Sequence, residues 1–344
     1  MLLSTLPLFV LISKTSEWQV QGQADPWLLF TDTLPSGRDS KLLATLGNGQ
    51  LAVTPGARTD GDSSIRPSIY VNCLYNGATW NSHRARIPNW SNYHLDFSPV
   101  TRYSTGYTLN MYQGIFESLY LFDSPYAIDV KHKVFVHRDA NLSGTIVNLL
   151  TASQPHFEEN KNMEIMSLID NGGPSNDITN NGYNEIELEE SNVLGIKKML
   201  YQCEHTTELE YPQYEDTPTP VCFAWTVSET MTVSPNDVLP QEQILLTIVS
   251  DSLAGILVQL DTAMGLSITE LVELHTRAWA ELWDSGRLEV AGDPELERVV
   301  LASQYYLLSS LPNPGSVAEF CGLSPGSLAY GDLGRDYQVH HHYH

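Results

Sequence analysis

Four histidines close the chain, and their type and spacing are the first feature that suggests chemistry. The last six residues read VHHHYH, which places imidazoles at His340, His341, His342 and His344. Imidazole is the commonest protein ligand of transition metals, and His-rich tracts bind metal. A functional metal site also needs outer-shell partners that fix its ligands, and a frayed chain end does not supply them. We therefore predict neither a physiological metal site nor a cofactor.

A second group of polar residues lies in and just before the segment NSHRARIP, between two strand-like runs. Its members are Asn76, Gly77, His83, Arg84 and Arg86. Polar, turn-forming segments carried on a rigid scaffold often contact ligands. The sequence therefore predicts a ligand-binding loop. The alternative is that Arg84 or Arg86 pairs with a carboxylate at an interface between domains, as arginines commonly do.

The charge balance excludes one large class of partner. The 344 residues carry 41 acidic and 18 basic side chains, a formal net charge of −23, so the field of the protein repels nucleic acid. Neutral ligands are not selected against, and 17 Tyr with 7 Trp supply amphipathic rings that pack against sugar faces. The acids form no pair that the sequence assigns to acid and base roles. Residues 187–192 (ELEESN) are interpreted as a solvated strand face, and Asp284 and Asp293 as helix ends.

Two turn-rich segments are given structural interpretations. GNG at Gly47–Gly49 lacks the spacing of a phosphate-binding loop and predicts a hairpin turn. Residues 170–185 (DNGGPSNDITNNGYNE) predict an exposed loop that need not bind anything.

The cysteines and the N-terminus bear on the cellular compartment. Cys73, Cys203, Cys222 and Cys321 are widely spaced and form no CxxC pair, so buried free thiols are favoured, although Cys203 and Cys222 could pair. The apolar run from Leu2 to Ile12 resembles the core of a secretory signal, but it lacks a preceding Lys or Arg and a clear cleavage site, and it is too short to span a bilayer. The pattern favours a cytoplasmic protein slightly and leaves export open. If the chain were exported, the sequons at Asn89 and Asn141 would be usable.

The pattern of short runs predicts a mainly β fold. Alternating or aliphatic runs recur between Gly, Pro, Asn and Asp with no long helical period, as in GQLAVTP, SIYVNCLY, HLDFSPV, YTLNMYQG, AIDVKHKVFVH, GTIVNLLTA, CFAWTVSE and QILLTIVS. Such spacing is typical of an antiparallel sandwich or a large barrel. We predict a leader at 1–24, a β-sandwich at 25–260, helices at 261–312 and an irregular tail at 313–344.

Two helices are predicted after the β region. Ser267 and Glu270 form a capping box, Leu271, Leu274, Ala278 and Leu282 recur at helical spacing, and Gly286 ends the helix. After the strand-like RLEVAG, Asp293 caps a second helix that Pro312 stops. This helix has a broad apolar face formed by Leu296, Val299, Val300, Ser303, Leu307 and Leu311.

Four segments in this order resemble the N-terminal half of glycoside hydrolase family 65. They are LATLGNGQLAV (43–53), LYNGATWNSHRARIPNW (74–90), HTRAWAELWDSGRLEVAGDPELERVVLASQYYLLSSLP (275–312) and FCGLSPGSLAYG (320–331). The resemblance implies a β super-sandwich, linker helices and a catalytic (α/α) barrel, with the loop at 76–86 facing that barrel. It also implies an α-glucosidase that removes glucose from glucosyl-galactosyl-hydroxylysine of collagen.

The same resemblance places the end of this chain before the catalytic machinery. Asp336-Tyr337-Gln338 is similar to the start of a family segment that continues to a sugar-contacting Trp-Asp pair, and VHHHYH stands in its place. We interpret this tail as a divergent end from a frameshift, an alternative exon or a cloning boundary. Inverting hydrolysis needs two carboxyl groups about 6.5–9.5 Å apart, which the family carries in the barrel. We therefore expect no catalytic residue and no activity in this chain, whose last predicted helix would expose its apolar face.

Three hypotheses about function stand side by side: a glycosidase by ancestry, a carbohydrate-binding or structural β-sandwich, and an inactive truncated product. The sequence gives no indication of the oligomeric state.

Overall fold

A computed structural model describes residues 25–312, with gaps at 37–41, 60–66, 79–81, 101, 124–127, 154–161, 189–192, 210–211, 213–216, 236 and 238–239. The apolar run at Leu2–Ile12, most of the acidic run at 187–192, Cys321 and the C-terminal histidines lie outside the described residues. In the described part of the chain, no single helix is long and apolar enough to cross a bilayer.

The main element is a nine-stranded antiparallel sheet that runs through the middle of the fold. In spatial order its strands are β1 (Leu28–Thr31), β9 (Tyr103–Asn110), β10 (Ile115–Phe122), β11 (Asp129–Val136), β12 (Thr145–Ser153), β18 (Gln241–Ser250), β16 (Pro220–Thr226), β15 (Lys198–His205) and β14 (Asn184–Glu187). All eight of the predicted strand runs contribute strands to the fold, which confirms the mainly antiparallel β prediction.

Three smaller antiparallel sheets complete the β structure. The first contains β17 (Met231–Val233), β13 (Met163–Ile169) and β8 (Tyr93–Ser98); the second contains β2 (Leu46–Gly47), β3 (Leu51–Val53), β4 (Ser68–Val71) and β7 (Ile87–Pro88); the third is the hairpin of β5 (Tyr75–Asn76) and β6 (His83–Arg84).

Burial along the strands explains why some alternate and others are apolar throughout. In β11, Val130, His132 and Val134 are buried, whereas Lys131 and Lys133 are only half-buried. Side chains of a strand point alternately to the two faces of a sheet, so this strand has one face in the core. The six residues from Ile244 to Val249 of β18 are all buried, because the central strands are covered on both faces.

Three helices follow the sheet, rather than the two that were predicted. They are α1 (Leu253–Met264), α2 (Ile268–Asp284) and α3 (Pro294–Ser309). Helix α1 begins inside the range 25–260 that was predicted for the β-sandwich and extends beyond it, and the last strand ends at Ser250. Ser252 caps this helix by accepting a hydrogen bond from the backbone of Gly255. The RLEVAG segment, predicted as a strand, is irregular.

The predicted ends of α2 and α3 are confirmed, and the apolar face of α3 is exposed as predicted, whereas the apolar row predicted for α2 is fully buried only at Leu271. Ser267 and Glu270 form the capping box of α2, and Asp293 caps α3 with Pro294 in its first turn. Helix α2 buries Leu271, as predicted, together with His275, Trp279 and Trp283, and leaves Leu274, Ala278 and Leu282 half-buried. Helix α3 buries Leu301, Tyr305 and Ser309, and leaves Leu296, Val299 and Leu307 exposed. The large rings decide the orientation, because they bury the most apolar area.

The GNG segment forms the predicted hairpin turn between β2 and β3. The Asn48 side chain accepts hydrogen bonds from the backbone of Gln50 and Leu51, and Gly49 has φ +81°. The turn also has a tertiary role: the Gly49 amide donates to the carbonyl of Ser309 at the end of α3, 2.8 Å away. A side chain at Gly49 would overlap the backbone of Leu311.

The prediction of free thiols is wrong for the described cysteines. Cys203 and Cys222 lie directly opposite each other on β15 and β16, with 4.0 Å between their Cα atoms, and form a disulfide. Cys73 is also disulfide-bonded. A separation of 19 residues does not reveal that two cysteines share one cross-strand position.

Candidate functional site

The five predicted loop residues lie together in the β5–β6 hairpin and the residue pair that follows it. Asn76 is paired with His83 across the hairpin, and Tyr75 with Arg84. Gly77 has φ +96°, a left-handed conformation that favours glycine and starts the turn. The structure therefore brings the predicted residues together, with the tip of the hairpin at 79–81 outside the described residues.

The centre of this cluster is Asp177, which the sequence prediction missed. Its carboxylate accepts hydrogen bonds from Arg86 Nε at 2.7 Å, Arg86 Nη2 at 3.1 Å and the Arg86 backbone amide at 3.1 Å. His83 Nε2 lies 3.1 Å from the other side of the same carboxylate. Arg86 therefore pairs with a carboxylate, as the alternative interpretation held, but the carboxylate belongs to the β structure itself and not to another domain.

The environment of Asp177 keeps its carboxyl group ionised. Burial alone would raise the pKa of Asp177, but hydrogen bonds from His83 and Arg86 outweigh burial and hold this pKa far below its usual value. An ionised carboxylate only accepts hydrogen bonds, so the His83 Nε2 atom must carry a proton to bind it. A group of this kind fixes a loop; it cannot serve as a general acid at neutral pH.

Asp177 and Asn76 hold a neighbouring loop in place. Asn76 Oδ1 accepts from the Glu208 amide at 2.8 Å and from the Thr207 hydroxyl at 3.2 Å, and the Asp177 carbonyl accepts from the Thr207 amide at 2.9 Å. Asp177 lies in the segment predicted to be an exposed loop. That prediction holds for residues 180–183 and is wrong for Asp177 and Ile178, which are buried, and for Asn184 and Glu185, which are exposed but belong to strand β14.

Arg84 lies on the inner side of the hairpin. Its side chain is buried, and burial lowers the pKa of its guanidinium, which a hydrogen bond to the Tyr75 hydroxyl partly restores. Arg86 is more accessible, with 46% of its side chain exposed beside a small cleft of about 60 Å³. Typical small-molecule sites have volumes of about 300–1,000 Å³, so this cleft by itself is too small to enclose a sugar. Ligand binding by the loop stays a prediction.

Two buried carboxylates in the described part of the chain have structural partners. Among the described residues, the Asp and Glu that are buried are Asp177 and Glu204. Glu204 accepts from the Thr179 hydroxyl at 2.6 Å and from the Asn181 amide at 2.7 Å. Asp177 therefore binds the 177–181 segment to the hairpin through Arg86, and Glu204 binds the same segment to β15. The described residues also contain no cluster of three His, Cys, Asp or Glu side chains that could hold a metal ion.

Asp177→Asn should lower the free energy of unfolding by about 1–3 kcal/mol, because the amide cannot accept all the bonds that the carboxylate accepts. Since the folded pKa of Asp177 is depressed, its charge stabilises the fold above about pH 4, and this contribution is lost as the pH falls further. Urea titration at pH 7 measures the effect. The exposed Asp261 on α1 provides the matched control, and equal stability losses for Asp177→Asn and Asp261→Asn would contradict the assignment.

The fold has a counterpart among solved structures. The structure of "Putative kojibiose phosphorylase from human microbiome" matches with a TM-score of 0.55 at 9% identity, over 83% of this chain and 42% of that chain. At this identity the likeness shows the fold alone. The described residues therefore have a β-sandwich fold followed by helices. In the phosphorylase, the matching fold is one part of a longer chain.

Sequence comparison identifies more specific relatives. The chain is 27% identical over 330 residues to protein-glucosylgalactosylhydroxylysine glucosidase of Gallus gallus, and 27% identical over 328 residues to that of Mus musculus. The glucosidase of Danio rerio is 39% identical over a shorter stretch of 85 residues. The chain is thus a distant homologue of these enzymes, and the resemblance that its motifs carry is confirmed.

The chain spans about two fifths of the length of the curated relatives it matches. The alignment covers 93% of this chain but 42% of the Gallus gallus protein. No family model matches the chain. The activity of the whole relatives therefore passes to this chain only as a proposal.

Proposed function

We propose that this chain is the β-sandwich and helical portion of an α-glucosidase that acts on glucosyl-galactosyl-hydroxylysine, the glycan of collagen. In this proposal it supports and orients a catalytic domain and does not cleave the glycosidic bond by itself. The observation that carries the proposal is the alignment of nearly the whole chain, at 93% coverage, with glucosidases that act on this glycan.

The buried carboxylates support the proposal that the chain does not cleave the glycosidic bond by itself. Hydrolysis requires one carboxyl group that is protonated and another that is ionised, held a fixed distance apart across a sugar-sized cleft. The described acids that are withdrawn from solvent, Asp177 and Glu204, instead accept hydrogen bonds from neighbouring loops. Neither has the environment of a general acid.

The surface of α3 supports the proposal that the chain holds a catalytic domain in place. Leu296, Val299 and Leu307 lie on its outer side with exposed fractions of 50%, 61% and 66%, and Leu311 follows at 41%. The opposite side packs on the sheet through Leu301 and Tyr305. Burying each exposed aliphatic side chain would contribute roughly 1.5–3 kcal/mol, so this surface is suited to a helical domain packed against it.

The purified chain should release no glucose from glucosyl-galactosyl-hydroxylysine. Free glucose is measured after prolonged incubation, and the full-length Gallus gallus relative in the same assay is the positive control. Circular dichroism must first show that the chain is folded, so that a negative result reports on chemistry. Turnover by the chain at the rate of the full-length relative would refute the proposed supporting role.

A further inference from the structure

A cleft of about 340 Å³ opens between the nine-stranded sheet and strand β8, away from the 76–86 loop. Its floor is formed by facing positions of β9, β10 and β11. Tyr107 pairs with Ser118, and Ser118 with His132, so the three form one row across the sheet. Thr105 and Tyr120 form the next row. The turn at 53–58 and residues 89–96 form the walls.

Three tyrosines give this floor both rings and hydroxyl groups. The rings of Tyr103 and Tyr120 are 5.7 Å apart, and Phe97 lies 5.1 Å and 5.0 Å from them, respectively. The cluster holds these rings in place before any ligand arrives, which reduces the entropy lost on binding. Burial raises the pKa of both Tyr103 and Tyr120, so their hydroxyl groups stay protonated and can both donate and accept.

The electrostatic character of the cleft is close to neutral. Among the described residues that line it, Arg58 and Asp96 carry opposite charges, and His94 is a further polar member of the lining. His132 is also part of the lining, and burial lowers its pKa to about 4, so its imidazole is uncharged at neutral pH. A strongly charged ligand would meet no excess of opposite charge here.

We propose that this cleft binds a neutral saccharide of one or two rings. Its volume lies at the lower end of the range of about 300–1,000 Å³ that small-molecule sites occupy. Tyrosine rings offer an apolar surface for the C–H face of a pyranose, and their hydroxyl groups match the alternating donors and acceptors of a sugar. The inference rests on the lining of the cleft and does not depend on the proposed glucosidase role.

The test is a calorimetric titration of the folded chain with methyl α-glucopyranoside, methyl β-galactopyranoside and maltose, and with sodium glucuronate as a charged probe. At least one neutral sugar should bind saturably, more tightly than glucuronate. Tyr107→Phe, which removes one hydroxyl group and keeps the ring, should weaken this affinity about 5–10-fold. Tyr103→Ala, which removes a ring that is 41% exposed, should weaken it more than tenfold.

Tyr183→Ala is the matched control, because Tyr183 is a 61% exposed tyrosine that precedes β14 at the far edge of the same sheet. It should leave sugar affinity unchanged. Absence of binding by all three neutral sugars would overturn the proposal. So would tighter binding of glucuronate, or sugar binding that Tyr107→Phe and Tyr103→Ala leave intact. Since no step of this test measures glucose release, its failure is distinguishable from failure of the proposed function.

Discussion

Replacing Trp279 by alanine should lower the free energy of unfolding by about 3–5 kcal/mol, the usual loss for a fully buried aromatic side chain. Against a total stability of roughly 5–15 kcal/mol, this single change should leave the fold marginal. Trp279 is 1% exposed and lies where helix α2 meets both the sheet and helix α3. Urea denaturation followed by circular dichroism measures the loss.

The contacts of Trp279 explain why the effect should be so large. Its ring stacks on Tyr305 of α3 at 5.2 Å, and the Arg138 guanidinium lies 4.6 Å above it. Gly114 allows this approach, because a side chain there would overlap the indole. Arg138 is itself buried, which lowers its pKa to about 10, so it remains charged at neutral pH. The alanine variant therefore creates a cavity and also removes the aromatic face that stabilises a buried cation.

Two further variants separate these causes. Trp279→Phe keeps a ring over Arg138 and should recover part of the lost stability. The matched control lies on the exposed side of the same helix. Glu281→Ala should change the free energy of unfolding by less than about 0.5 kcal/mol. A Trp279→Ala variant as stable as Glu281→Ala would show that the helices do not depend on this contact.

Lowering the pH from 7.5 to 4.5 should destabilise the fold by several kcal/mol. Burial lowers the pKa of His132 and of His137 to about 4 and holds the pKa of His275 well below its usual value. Each residue is uncharged in the folded protein: His137 Nε2 donates to the Leu271 carbonyl at 3.0 Å, and His275 Nδ1 accepts from the Arg138 amide at 3.2 Å.

The sign follows from proton uptake on unfolding. An unfolded histidine has a pKa of about 6.5, so between about pH 6.5 and 4 the unfolded state binds protons that the folded state does not. The stabilisation is complete above pH 6.5 and is lost as the pH falls toward 4. At 1.36 kcal/mol per pH unit, His132 and His137 should each contribute a loss of up to about 3 kcal/mol. The Asp177 contribution is lost only below about pH 4, so the two effects occupy different windows.

The measurement is the free energy of unfolding in urea at pH 7.5, 6.5, 5.5 and 4.5. His132→Gln removes one group that takes up a proton on unfolding. It should therefore reduce the slope of the free energy of unfolding against pH by the amount that corresponds to about one proton, whatever its effect on stability at pH 7.5. A free energy of unfolding that is equal at pH 7.5 and 4.5 would contradict the assignment of buried, uncharged histidines.

Local sequence was sufficient for the β-rich class, for the ends of α2 and α3 and for the GNG turn. Ser267, Asp293 and Gly49 act within three or four residues of themselves, through a cap or a backbone conformation, so their effects can be predicted without tertiary structure. The five candidate loop residues lie together in the fold, and their role in ligand binding stays a prediction. The sequence did not reveal Asp177 as their partner, because 94 residues separate it from His83 and nothing in the polar segment around it marks it as buried.

The buried face of α2 shows where a sequence signal existed but was interpreted wrongly. Leu271, His275, Trp279 and Trp283 recur every four residues, which places them on one helix face as surely as the leucine pattern does. The predicted row, which also has helical spacing, shares only Leu271 with the buried face. The aromatic face is the buried one because Trp279 and Trp283 bury more area and because His275 has a backbone partner at Arg138.

The sequence by itself determined what depends on neighbours along the chain: strand alternation, helix caps, turn glycines and the distant relationship to glucosidases. Tertiary structure alone decided which residues became partners, namely Arg86 with Asp177, Cys203 with Cys222 and Arg138 with Trp279. It also assembled the tyrosine floor of the cleft from three separate strands. The physical reason is that burial and pairing are properties of positions in space, and strand register and helix docking set those positions through contacts between residues far apart in sequence.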